Sequence, residues 1–88
     1  MNNVQIELIS KPECHLCDDA RAIIETVLAE FPAELVNLNE LSILEDQQLY
    51  ERHWEEIPVV KINGNVHDFW RVDPERFRAA VAAAFGRN

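Results

Sequence analysis

The hydrophobic pattern of residues 4–31 changes period once, and that change limits the architectures open to the chain. Val4, Ile6 and Leu8 alternate with Gln5 and Glu7, the period-two pattern of a strand with two unlike faces through Ile9. Ser10-Lys11-Pro12-Glu13 ends it, because proline cannot donate to a strand ladder. From Leu16 the apolar residues fall at 16, 20, 23, 24, 27, 28 and 31, one stripe of a helix that stops before Pro32. Arg21 and Glu25 lie one turn apart on its outer face, spaced to pair. Glu34–Leu38 then reads as a second strand. A strand, a helix and a strand in this order predict a parallel pair joined by a right-handed crossover.

The second half reads differently. Ser42-Ile43-Leu44-Glu45 has the form of a capping box and predicts a helix through Trp54. Pro58–Ile62 and Val66–Trp70 are strand-like, and Asn63-Gly64 between them suits the positive φ angles of a type I′ turn, so the two form a hairpin. Asp73 caps the last helix and Pro74 takes its first turn, while Phe77, Ala80, Val81, Ala84 and Phe85 make its stripe. Gly86 stands where a helix C-terminal glycine belongs. The order β-α-β-α-β-β-α predicts an α/β fold with a mixed four-stranded sheet and helices on both faces. With 88 residues and no repeat or linker, the whole of 1–88 is one domain.

Charge narrows the function. Lys and Arg number 8 against 16 Asp and Glu, a formal net charge of −8, with no basic cluster. A nucleic-acid partner needs a positive footprint, and an anionic membrane surface needs the same, so neither is expected. Glu40, Glu45, Asp46, Glu51, Glu55 and Glu56 are relieved only by Arg52, which reads first as a solvated helix face and second as an acidic docking patch. The N-terminus carries neither a basic leader nor a long apolar run, so the expected setting is cytoplasmic; separately, a monomer is expected.

Cys14-His15-Leu16-Cys17 lies where the first strand's loop enters the first helix. A thiolate there meets unpaired backbone N–H groups and the positive end of the helix dipole, which favour the anion and make the sulfur a nucleophile. Cys14 precedes the helix proper and is the better attacker. Cys17 falls one turn before Ala20 and shares its inward side, placed to resolve a mixed disulfide. A bridge between neighbours three apart constrains the unfolded chain little, so a purely structural role is disfavoured. His15 reads as an exposed spacer, and Asp18 and Asp19 as first-turn residues whose charge opposes the dipole at both sulfurs. His15, His53 and His67 are the only histidines, and none forms a second paired motif with zinc spacing, so no metal site is assigned.

With these residues the chain resembles the glutaredoxin-like branch of the thioredoxin superfamily, and within it the small Cys-x-x-Cys proteins without a firmly assigned substrate. The resemblance rests on Lys11-Pro12-Glu13-Cys14-His15-Leu16-Cys17 and on Glu56-Ile57-Pro58-Val59, and it covers nearly the whole chain. It implies that Pro58 is a cis-proline facing the cysteine loop. Ile57 then offers its backbone to an extended peptide or to glutathione, and Lys11 matches a lysine that binds a glutathione carboxylate. Two departures stand out. His-Leu replaces the Pro-Tyr or Gly-Pro between the cysteines, and Asp68-Phe69-Trp70-Arg71-Val72-Asp73 replaces the diglycine segment that holds the γ-glutamyl group. Arg71 is a substitute cation for a substrate carboxylate, and Trp70 a groove wall. The leading reading is a thiol–disulfide oxidoreductase acting on a disulfide-bearing protein or small thiol, with glutathione as the only co-substrate considered and disfavoured. Two other readings stay open: a binding module with a quiescent cysteine pair, and a metal-handling protein.

Overall fold

In β1 (Val4–Ser10) the alternating residues sort as the pattern requires: Val4, Ile6 and Leu8 turn to one face, and Ile9 to the other. The computed structural model describes residues 3–86. After β1 come α1 (His15–Leu28), a short 3₁₀ turn at Ala33–Leu35, β2 (Val36–Ser42), α2 (Gln47–His53), β3 (Val59–Ile62), β4 (Asn65–Phe69) and α3 (Pro74–Phe85). The four strands form one sheet in the order β2-β1-β3-β4. β1 pairs parallel with β2, from Val4 opposite Val36 to Ser10 opposite Ser42, and antiparallel with β3. β3 and β4 complete the antiparallel half. This is the mixed sheet expected from the sequence.

The helices divide unequally between the two faces. Ala20, Ile24, Val27 and Leu28 of α1 and Phe77, Val81 and Ala84 of α3 pack on Val4, Ile6, Leu8 and Val60. On the other face, among the described residues, Ile9, Ile43 and Val59 form a small buried cluster beneath α2, with Leu49 and Ile57 packed against it. Arg78 of α3 grips the Glu30 carboxylate with two hydrogen bonds of 2.7 Å, and Phe31 stacks on Phe85 with centroids 5.6 Å apart, so α3 is tied to the end of α1.

The hairpin forms as expected, with Asn63 at φ +51° and Gly64 at φ +86°. The Asn63 backbone N–H donates to the Gln5 carbonyl at 2.7 Å while its side-chain oxygen accepts from the Gln5 N–H at 2.8 Å, pinning the turn to β1. A bulge opposite Val60 and Lys61 leaves His67 out of the β4 register and turns its ring onto Phe77, with centroids 5.9 Å apart. Asp73 caps α3 through a 3.1 Å bond from the Glu75 N–H.

Several expectations are corrected. The second strand begins at Val36 and runs to Ser42, not Glu34–Leu38, because the β1 ladder holds the polar residues Asn39 and Glu40 extended whatever their own preference. Ser42 ends β2 and does not cap a helix. Its hydroxyl accepts from the Leu44 N–H at 3.1 Å in a local turn, and Asp46 caps α2 instead, accepting from the Gln48 N–H at 2.9 Å. Leu16 belongs to no core; it stands outside, 37% exposed. Arg21 pairs with Asp18 and Glu40, not with Glu25. Gly86 closes α3 at φ −77°, within reach of any residue, so its freedom at positive φ is not used.

Candidate active site

Glu13 takes φ +58°, a left-handed conformation that costs a non-glycine residue about 1–2 kcal/mol, and so turns the chain sharply before the helix. The next residue, Cys14, is extended at φ −123° and is the N-cap of α1. Its carbonyl accepts from the Asp18 N–H at 3.0 Å, and its sulfur accepts from the Cys17 N–H at 3.1 Å. The Cys14 sulfur therefore fills the place that a serine or aspartate oxygen takes at other helix ends. Cys14 and Cys17 are joined as a disulfide, with Cα atoms 5.2 Å apart. Cys14 is partly exposed, whereas Cys17 is wholly buried. Position on the helix makes this difference, since Cys17 shares the inward side with Ala20 and Ile24.

The Ile57–Pro58 peptide is cis, as the resemblance implies. Pro58 is buried and precedes Val59, which pairs with Ile9, so it lies at the same end of the sheet as the cysteine loop. Among the described residues, no hydrogen-bond partner meets the Ile57 backbone N–H or carbonyl.

Beyond β4, Trp70 adopts φ +69°. Three hydrogen bonds hold it there: its backbone N–H to the Pro58 carbonyl (2.9 Å) and the Glu56 carbonyl (3.3 Å), and its indole N–H to the Glu55 carbonyl (2.9 Å). Trp70 and Val72 thereby face Leu16, Ala20 and Ile23 of α1 across a cleft of about 390 Å³ that Arg71 and Asp19 also line. The structure brings Arg71, Trp70, Pro58 and the cysteine helix to one region. Lys11 is exposed on the other flank, in a separate depression with Pro12, Arg21 and Glu40. Among the described residues neither Lys11 nor Arg71 has an ion-pair partner. Sequence periodicity assigned Leu16 to the core and so missed it as a cleft residue; only its position outside the strand-facing arc distinguishes it from Ala20.

In the depression that Lys11 lines, Arg21 donates two bonds to Glu40, of 2.7 and 2.6 Å, and Glu40 also accepts from the buried Ser10 hydroxyl at 2.7 Å. The Arg21 hydrogen bonds hold the Glu40 carboxyl below the usual carboxylate range, outweighing the opposing effect of its partial burial. Among the described residues no group of three or more His, Cys, Asp or Glu side chains is placed to hold a metal ion, and no helix is long and apolar enough to cross a membrane.

A mixed four-stranded sheet with a paired cysteine motif capping its first helix, and a buried proline loop at the same end of the sheet, defines a thioredoxin-superfamily protein with a redox-type site. More narrowly, residues 5–82 match the glutaredoxin-like domain family (DUF836), and the chain belongs to that family. An uncharacterized protein of Mycobacterium tuberculosis is 28% identical over 93 residues, covering 98% of this chain and 92% of that protein. A thioredoxin of Methanocaldococcus jannaschii is 33% identical over 67 residues, covering 75% of this chain and 78% of its own. Among solved structures, a structural-genomics target protein from X. campestris superposes with a TM-score of 0.71 at 26% identity, over 89% of this chain and 96% of the other.

Proposed function

We propose that this protein is a thiol–disulfide oxidoreductase. One observation carries the reading: Cys14, partly exposed, caps α1 with its sulfur on a backbone N–H, while its bonded partner Cys17 is buried directly behind it. In the reduced protein the helix end favours the Cys14 thiolate. That thiolate attacks one sulfur of a target disulfide, and the target S–S bond breaks to release a thiolate that takes up a proton. Cys17 then loses its proton and attacks the Cys14 sulfur of the mixed disulfide. The second target thiol leaves, and two electrons have passed from the cysteine pair to the target. An external dithiol restores the pair.

The surroundings favour a polypeptide substrate over glutathione. The open Ile57 backbone suits an extended chain, and the apolar cleft between Leu16 and Trp70 suits a side chain beside the target cysteine. For glutathione, Lys11 and Arg71 supply charge, but the backbone donors of a diglycine are missing, each such bond to a carboxylate contributing about 1.5–3 kcal/mol. Titration against a dithiothreitol buffer, read by the mass of alkylated thiols, should give a two-electron transition at roughly −270 to −200 mV. Insulin reduction should follow, and Cys14→Ser should abolish it. A glutathionylated peptide should be a poorer substrate than insulin. A cysteine pair that stays in one redox state across the whole buffer range would leave the quiescent binding module in its place.

A further inference from the structure

Helix α2 and the residue that ends it, Trp54, leave their aromatic side chains outside the fold. Tyr50 and Trp54, one turn apart, are 44% and 52% exposed and stack on each other with centroids 6.3 Å apart and planes 10° from parallel. Neither joins the cluster of Ile9, Ile43 and Val59 beneath the helix, which takes only Leu49 from α2. Phe69 and Trp70, also exposed, meet edge to face at 4.9 Å. Phe69 pairs with Val59 and so stands on the face of the sheet that α2 covers. The two aromatic pairs connect through Glu55, which follows Trp54 and accepts the Trp70 indole N–H. Trp70 in turn walls the cleft beside the cysteine helix. Two exposed aromatic pairs therefore stand between α2 and the candidate active site, joined through the Glu55 backbone, and clustered exposed aromatics are a feature of interaction sites.

Two carboxylates that follow these rings in the chain, Glu51 and Glu55, have no ion-pair partner among the described residues. Elsewhere five acids are matched: Arg21 holds Asp18 and Glu40, Arg76 holds Asp68, and Arg78 holds Glu30 and Glu75. Glu7, Glu13, Asp19, Glu25, Glu34 and Asp73 also stand without an ion-pair partner among the described residues, but none of them is on α2. Around α2, among the described residues, Glu56 alone meets a basic side chain, the His53 ring at 3.2 Å. Glu51 accepts only from the Gln47 amide, at 3.2 Å, among the described residues. Aromatic faces flanked by unmatched carboxylates are complementary to one side-chain class, since a guanidinium or ammonium group stacks on the first and pairs with the second. We infer that Tyr50, Trp54 and Trp70, with Glu51 and Glu55, dock a basic segment of the polypeptide that carries the target disulfide. This rests on the oxidoreductase reading and names the substrate's chemistry: lysine or arginine near the disulfide.

The test uses two sets of probes, so that binding and turnover fail separately. Short linear peptides without cysteine, one rich in Arg and Lys and one with Glu in their place, are titrated into the oxidised protein while the indole N–H signals of Trp54 and Trp70 are followed by NMR. The basic peptide should bind about tenfold more tightly than the acidic one. That preference should fade as ionic strength rises from about 0.01 M to about 1 M, where the Debye length falls from about 30 Å to about 3 Å. Glu51→Gln with Glu55→Gln should remove most of the preference, and Tyr50→Ala with Trp54→Ala should weaken basic-peptide binding about fivefold. All four side chains are exposed, so folding should survive, and reactivity of the cysteine pair with dithiothreitol should be unchanged. Equal binding of both peptides at low salt, or shifts that avoid Trp54 and Trp70, would overturn the docking surface even if the cysteines turn over. The second set, disulfide-bridged versions of the same peptides, reports turnover. Basic-peptide binding without reduction of either bridged peptide would keep the surface but refute its link to a redox substrate.

Discussion

The two faces of the sheet are built from similar strands yet do different work. Under α1 and α3 a continuous core runs from Val4 to Ala84 around Phe77, with every central side chain closed from solvent. Under α2 the buried cluster is three residues wide and confined to the end that holds the cysteine loop. The rest of that face is open, with Val66 and Phe69 of β4 left exposed. Burial sets where stability resides, so the thick face carries the fold and the thin face is free to present Tyr50, Trp54 and Phe69. Of the elements around the proposed substrate, α1 is anchored in the core and α2 is the least committed to it, as expected where a surface must adapt to a partner.

Core truncations separate the faces most strongly. Phe77→Ala should cost about 3–5 kcal/mol, a large share of the about 5–15 kcal/mol that holds a domain of this kind together. Ile43→Ala, at the thin face, should cost about 2 kcal/mol, because so shallow a cluster can relax around the loss. Urea unfolding midpoints at constant slope give both values. A larger loss at Ile43 would reverse the assignment of stability to the α1 and α3 side.

The helix caps make a finer test. Asp73 and Asp46 do the same local job at α3 and α2, and removing either should cost about 1 kcal/mol. Asp73→Ala should appear as a lower global midpoint. Asp46→Ala should appear instead as faster amide exchange from Tyr50 to Trp54, with little change in the midpoint, because α2 can open without the core. A global effect of equal size at both positions would show that α2 unfolds only with the rest.

The smallest effect is in the pH dependence of the thick face. Burial against α3 lowers the His67 pKa from its ordinary 6.5, with Arg76 adding to the effect and Asp68 opposing it. The unfolded chain then binds a proton more readily than the folded one, so stability is complete above pH 6.5 and falls as pH drops from there toward the folded value. His67→Phe should flatten the unfolding midpoint across that window. A wild-type midpoint that rises on acidification through it would contradict the burial assigned to this ring.

The sequence alone determined the features that depend on near neighbours. Asp73 and Pro74 start α3 where the pattern places it, Asn63-Gly64 closes the hairpin, and the cysteine pair opens α1, because caps, turns and amphipathic stripes are satisfied within a few residues of their origin. Tertiary structure decided the rest. Ser42 carries a capping signal, yet pairing with Ser10 across the sheet holds it in β2. Arg21 had Glu25 within one turn, and Glu40 from a neighbouring strand took the guanidinium with two bonds. Leu16 fits the same stripe as Ala20, but β4 and the loop after it leave Leu16 facing Trp70 across the cleft. Periodicity encodes which residues share a side of an element. What covers that side depends on elements brought together from distant parts of the chain, and a free energy shared among those elements is written in none of them singly.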